Sequence, residues 1–155
     1  MRRSNFILYR MDSKTMKLTQ VLSLSKGSSV EYLGRAGETD YLLVYDRKTE
    51  TYSLCSVHGD TVKTELTLTE AQQQAARTVY QSARGCIICT DETTGYKLTE
   101  TGVEPLGVAA SICRLTDNGM IITQNCTADE TVLTAYNWNG QKTDSYTISN
   151  AYSVG

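Results

Sequence analysis

Cys86 and Cys89 are spaced as C-x-x-C, a separation that lets a turn or helix start bring two sulfurs onto one metal ion or into one redox pair. That chemistry needs the thiols side by side. The surrounding residues, GCIICT at 85–90, have the composition of a strand, where positions three apart point to opposite faces. No second C-x-x-C follows, and His58 is the only histidine. The pair therefore reads as two buried strand cysteines, and neither a metal nor a cofactor is implied. Five cysteines cannot all pair within one chain, and their spacing is unlike a small disulfide scaffold, so a compartment that keeps thiols reduced is favoured.

His58 lies two residues from Asp60, a base beside a carboxylate. Acid–base catalysis needs a further group to orient such a pair, and none can be named; Gly59 between them marks a solvated turn. Asp12, Asp46 and Asp91 with Glu92 would collect a cation if their loops converged, but the D-x-D-x-D-G order of a calcium loop is missing. Each of these aspartates opens a polar turn, where its carboxylate can accept from a backbone N–H two residues on. No G-x-S-x-G elbow and no phosphate-cradling glycine motif occurs. Asn125-Cys126-Thr127 fits the glycosylation triplet, which matters only in a secretory setting that nothing else supports.

The elements around these residues recur. GCIICTDETTGYKL from Gly85 is a short apolar strand, an Asp-led turn and a second strand ending in an aliphatic residue. FILYRMDSKTMKL from Phe6, YLLVYDRKTETYSL from Tyr41 and, more loosely, MIITQNCTADETVL from Met120 repeat it. Aligned on Phe6, Tyr41, Cys86 and Met120, the apolar strands are 35, 45 and 34 residues apart. Periods of about 20 to 50 residues indicate solenoids, propellers or arrays, and four short strands with their turns need about 36–40 residues. The units run over residues 5–28, 29–76, 77–109 and 110–155 of a single domain. The longest interval contains TEAQQQAAR at 69–77, where Thr69 can cap a short helix inserted in a connection. Pro105 suits an edge strand, and Asn139-Gly140 marks a tight hairpin.

Composition agrees with strands. There are ten tyrosines and few Ala-Leu-Glu-Lys stretches, with one proline and eleven glycines. With 15 basic and 17 acidic residues and no basic block, binding to nucleic acid by simple electrostatics is disfavoured. No apolar run approaches the roughly 20 residues that span a bilayer, so no membrane insertion is expected. The start, MRRSNFILYR, has too short an apolar segment for a signal peptide and fits the repeat instead.

This rhythm of strands and turns resembles that of β-propeller repeat proteins of the bacterial type. The turns at 12–15, 46–49 and 91–94 are similar to hairpins between second and third blade strands. The Gly-His and Trp-Asp pairs of WD repeats and the double glycine of kelch repeats are absent, so no functional residues carry over. The expected fold is all-β, a propeller-like array of about four antiparallel four-stranded blades. The first unit lacks an opening strand, and residues 151–155 are expected to supply it by pairing Ala151–Val154 with Asn5–Tyr9. That closure occurs within one chain or in a homodimer of half-rings.

A propeller offers loops on one face, and that expectation leads to a non-catalytic interaction or scaffold module that binds a protein partner. Glu70, Gln72, Gln73, Gln74, Asp46, Arg47, Asp91 and Glu92 are the expected loop residues. In a propeller the connection to the next blade shares a face with the second-to-third-strand turns. The alternatives are an enzyme or small-ligand binder with its site at the central channel, and a segment of a larger propeller or multichain assembly.

Overall fold

A computed structural model describes residues 6–92, 94–108 and 112–150. The described residues are all-β with one short helix, arranged as four antiparallel sheets. The first sheet has two strands, β1 (Phe6–Met11) and β2 (Leu18–Leu24). The second holds β3 (Ser29–Ala36), β4 (Thr39–Asp46), β5 (Thr51–His58) and β6 (Thr61–Leu68), paired in chain order. Helix α1 (Glu70–Ala76) leads to the third sheet: β7 (Val79–Ser82), β8 (Gly85–Cys89), β9 (Gly95–Thr99) and β10 (Gly102–Leu106). The fourth comprises β11 (Ile112–Leu115), β12 (Ile121–Cys126), β13 (Glu130–Tyr136) and β14 (Lys142–Ser149). Among the described residues no helix is long and apolar enough to cross a membrane.

Alternation along the strands sends side chains into three apolar layers between successive sheets. Leu8, Val21, Leu22 and Leu24 of the first sheet pack on Leu42, Val44, Cys55 and Val57 of the second. On the other face of the second sheet, Tyr41, Leu43 and Leu54 meet Cys86, Ile88 and Leu98 of the third. Ile87 and Cys89, alternating with Cys86 and Ile88, turn the opposite way and join Ile112, Ile121 and Tyr136 of the fourth. Sheets two and three are thus apolar on both faces, which is why YLLVY and CIIC read as continuous apolar runs. The C-x-x-C sulfurs lie in different layers, and all five cysteines are free thiols.

Polar side chains also tie the sheets together. Lys97 is buried, with Nζ donating to the Trp138 carbonyl at 2.9 Å, standing 5.2 Å from the Trp138 ring and 3.6 Å from Glu104. Its aliphatic stem fills the third layer while its charge stays satisfied. Gly37 (φ +58°) makes the turn between β3 and β4, where a Cβ would run into the Glu100 side chain. That contact seats the second sheet against the third.

Several expectations are corrected. The repeat alignment puts Phe6 at the start of a second strand and groups the turn at 12–15 with those at 46–49 and 91–94. In the second and third sheets the chain leaves from the fourth strand, and β2 is the strand that leads into β3, so β1 and β2 correspond to the third and fourth strands of those sheets. Arg10 Nη1 donates to the Gly59 carbonyl at 2.6 Å, which sets the 12–15 turn beside the β5–β6 turn. At the other end of the hairpin, Ser25 Oγ donates to Asp46. The Asp12 turn therefore lies opposite the Asp46 turn. Asp12 accepts from the backbone N–H groups of Lys14 and Thr15 at 2.8 and 3.1 Å, local chemistry that is blind to which hairpin it closes.

Among the described residues the first sheet has two strands where each later sheet has four. The expected pairing of 151–154 with 5–9 lies largely outside them. Met16, read as strand, has φ 59°, and β2 begins at Leu18. The Asn139-Gly140 turn is a five-residue connection, 137–141, in which the Asn137 carboxamide oxygen accepts from the N–H groups of Asn139 and Gln141, both at 3.0 Å. Trp138 therefore falls in the turn. Pro105 is on the edge strand β10.

Candidate functional site

Strand direction sorts the connections to two ends of the stack. Leu68, where β6 ends, pairs with Tyr52 beside the 46–49 turn, and β7 begins with Val79 opposite Ile88 near the end of β8. Helix α1 therefore sits at the same end as the 46–49 turn and the turn after Cys89. The turn after Cys126 also falls there, since the β11–β12 turn lies at the opposite end, where the Asp117 carbonyl accepts from the Ala83 N–H of the β7–β8 turn at 3.0 Å. This helix-bearing end brings Asp46, Arg47, Glu70, Gln72, Gln74, Asp91 and Glu92 to one side of the molecule.

Local sequence explains the helix. Thr69 Oγ1 accepts from the Gln72 N–H at 3.2 Å, and Gln72 Oε1 accepts from the Thr69 N–H at 2.9 Å, a reciprocal capping box. Only seven residues long, the helix depends on packing. Ala76 is fully buried against the second layer and Gln73 is 3% exposed. The short helix expected in the connection at 69–77 is present there and is packed. Gln73 is withdrawn from the exposed loop residues: its Oε1 accepts from Arg77 Nε at 2.9 Å. Gln72 is committed to the cap. Glu70 and Gln74 are exposed.

An aromatic pair that the loop residues did not include lies beneath them. The Tyr45 and Tyr52 rings are 4.8 Å apart and tilted by 40°. With Val30, Leu43 and Arg77 they line a groove of about 240 Å³. Arg77 forms an ion pair with Glu31 across its mouth. Burial, then the charge of Glu70, raises the Tyr52 phenol above its ordinary value, so it stays a neutral donor. Arg47 bonds Glu50 at 3.3 Å, and Asp46 accepts from the Lys48 N–H at 3.0 Å. Asp91 accepts from the Thr94 N–H at 2.8 Å. Glu31 and Arg77 thus set charges of both signs beside the aromatic pair. The signal in sequence was the cross-strand pairing of Tyr45 with Tyr52, visible only once the hairpin register is known.

The opposite end holds His58. Its Nδ1 is 3.0 Å from Thr39 Oγ1, which donates to the Glu100 carbonyl at 2.6 Å. Nearby, Ser56 donates to Glu65 at 2.8 Å; the Glu65 side chain is 9% exposed and lies 3.9 Å from Lys63. These groups line a cleft of about 450 Å³ between the second and third sheets. A second cleft there, about 850 Å³, separates the first and second sheets and is walled by Arg10, Asp12, Arg35, Glu38 and Asp60. Among the described residues no three His, Cys, Asp or Glu side chains converge as metal ligands. Comparison with protein-family models, curated proteins and solved structures finds no match for the chain.

Proposed function

We propose that this chain is a non-catalytic interaction module, a propeller-like array of sheets that docks a protein partner through its helix-bearing end. Supporting the array are the chain-order pairing within each sheet and the apolar layers between successive sheets, the pattern of radially stacked blades. The observation that carries docking is the groove at Tyr45, Tyr52 and Arg77, assembled from three strands and a helix cap and rimmed by charges of both signs. Tyrosine and arginine are the side chains that most often anchor protein contacts, because each joins a large apolar surface to a directional donor.

The test is a photo-crosslinking amino acid placed at Gln74, and separately at Asp117 on the opposite end, in cells of the source organism. Discrete adducts at Gln74 that vanish with Tyr52→Ala or Arg47→Glu, and are absent at Asp117, are expected. Adducts equal at both ends, or unchanged by those substitutions, would overturn docking at this end. One observation favours a second reading, a small-ligand site: Glu65, nearly buried and bonded by Ser56, lies at the cleft that His58 and Thr39 share. Such a site would take a cationic or hydroxylated small molecule.

A further inference from the structure

The exposed apolar side chains of this chain are not scattered. Eight large hydrophobic residues are exposed among those described; six lie on strands of the first or last sheet and Met16 in the turn of the first, so the exposure belongs to the ends of the stack. On the first sheet Ile7, Tyr9, Met11 and Leu18 are 40%, 52%, 53% and 61% exposed. They alternate with Phe6, Leu8 and Arg10, and Met11 pairs directly with Leu18, so the four share the face turned away from the second sheet. On the fourth sheet Ile121 and Tyr136 face the third, so the next residue in alternation, Ile122, faces outward with its partner Ala135. Leu133 with Tyr146, and Thr131 with Ile148, continue that outward face. Tyr146 is 67% exposed and Ile148 39%.

Each layer inside the chain joins the later-facing surface of one sheet to the earlier-facing surface of the next. The outward face of the first sheet is an earlier-facing surface without its mate, and that of the fourth is a later-facing surface without its mate. No substantial contact between these two sheets is present among the described elements, whereas the other three successive pairs all touch. We infer that a second copy of this chain covers both, head to tail: the fourth sheet of each copy packs on the first sheet of the other. The two contacts are identical and heterologous, and they close a ring of eight sheets, within the range that propeller rings span.

Continuity with the internal layers is the reason for choosing a second copy as the occupant. A second copy presents both missing surfaces with the handedness the chain already uses, and the chain's own first and fourth sheets make no substantial contact among the described elements. A second observation agrees: Cys126 lies on the outward face, paired with Thr131, and is exposed, although free cysteines are among the residues most often buried. In the pair this thiol is covered. The inference rests on the stacked-array reading but not on docking at the helix-bearing end; loss of docking leaves the mass unchanged, and loss of pairing halves it.

Light scattering and maleimide labelling of Cys126 on the full chain test it, with Tyr9→Asp and Tyr146→Asp as variants whose folding is checked by circular dichroism. The wild type is expected at twice the chain mass of 17.1 kDa with Cys126 protected, and each variant at the single mass with Cys126 reactive. Mixing the two variants should restore a pair, because one copy keeps an intact fourth sheet and the other an intact first sheet. A monomeric wild type overturns the inference whether Cys126 is reactive or protected, the second result meaning that the chain covers its own ends. A pair that survives both substitutions, or a mass above two chains, overturns it as well. Should an aspartate variant fail to fold, Tyr9→Lys and Ile148→Lys replace it under the same criteria.

Discussion

Tyr41 shows how much one side chain does here. Its ring is fully buried in the layer between the second and third sheets, and its hydroxyl donates to the Thr99 carbonyl of the third. Burial, reinforced by the charge of Glu65, pushes the phenol up to about 12 from 10.0. The sign follows from linkage. The raised value means that the neutral phenol favours the folded state, a contribution fully present below about pH 10 and lost as pH rises towards 12. Tyr41→Phe should therefore cost about 1–3 kcal/mol near pH 8, by removing the bond and orphaning the Thr99 carbonyl. Denaturant melts at pH 8 and pH 11 should show the gap between wild type and variant narrowing at the higher pH. A gap that widens would contradict the assignment. That Tyr41 is core was legible from the apolar run it opens. Its partner was not, because Thr99 is 58 residues away and belongs to another sheet.

At the scale of elements, sequence carried the strands well and their positions less well. Apolar runs and turn residues located the strands at Phe6, Tyr41 and Cys86 closely, whereas β10 begins at Gly102, ahead of the Pro105 that marks it as an edge strand. Position within a sheet escaped, because an Asp-led turn caps itself through its own backbone. Asp12 and Asp46 look alike in sequence and lie at opposite ends of the molecule. The helix gave a mixed result. Thr69 with Gln72 is a visible T-x-x-Q capping pattern, but the burial of Ala76 depends on β8, which sequence alone could not bring near. Thr69→Ala should cost about 1 kcal/mol, and replacing residues 70–76 by a Gly-Ser linker of equal length should cost more. In a domain of this size each kcal/mol lowers Tm by about 2–4 °C. Gln74→Ala, which is exposed, should leave Tm unchanged. Scanning calorimetry on the three variants checks the order, and an unchanged Tm for the linker variant would contradict a packed role for the helix.

For the whole molecule, the account turns on the order of the stack and the place of β1–β2 within it. Third and fourth positions for these strands put the 12–15 turn at the His58 end, away from the helix. Among the described residues the first sheet then has two strands where each later sheet has four, and an apolar face beyond it. The docking end itself is set by the second and third sheets, and that placement decides which turns of the first sheet join it. If β1 were instead a second strand, the Asp12 turn would join the helix-bearing end and the face now read as outward would be a different set of side chains. The two arrangements differ by the length of a strand, about 25 Å for eight residues. Pulsed electron spin resonance resolves this in a background where Cys113 and Cys126 are replaced by serine. Nitroxides at Ser13 and Asp60, which wall the same cleft, should lie close together. Nitroxides at Ser13 and Lys48 should be separated by roughly the full strand length. A short Ser13–Lys48 distance with a long Ser13–Asp60 distance would contradict the account.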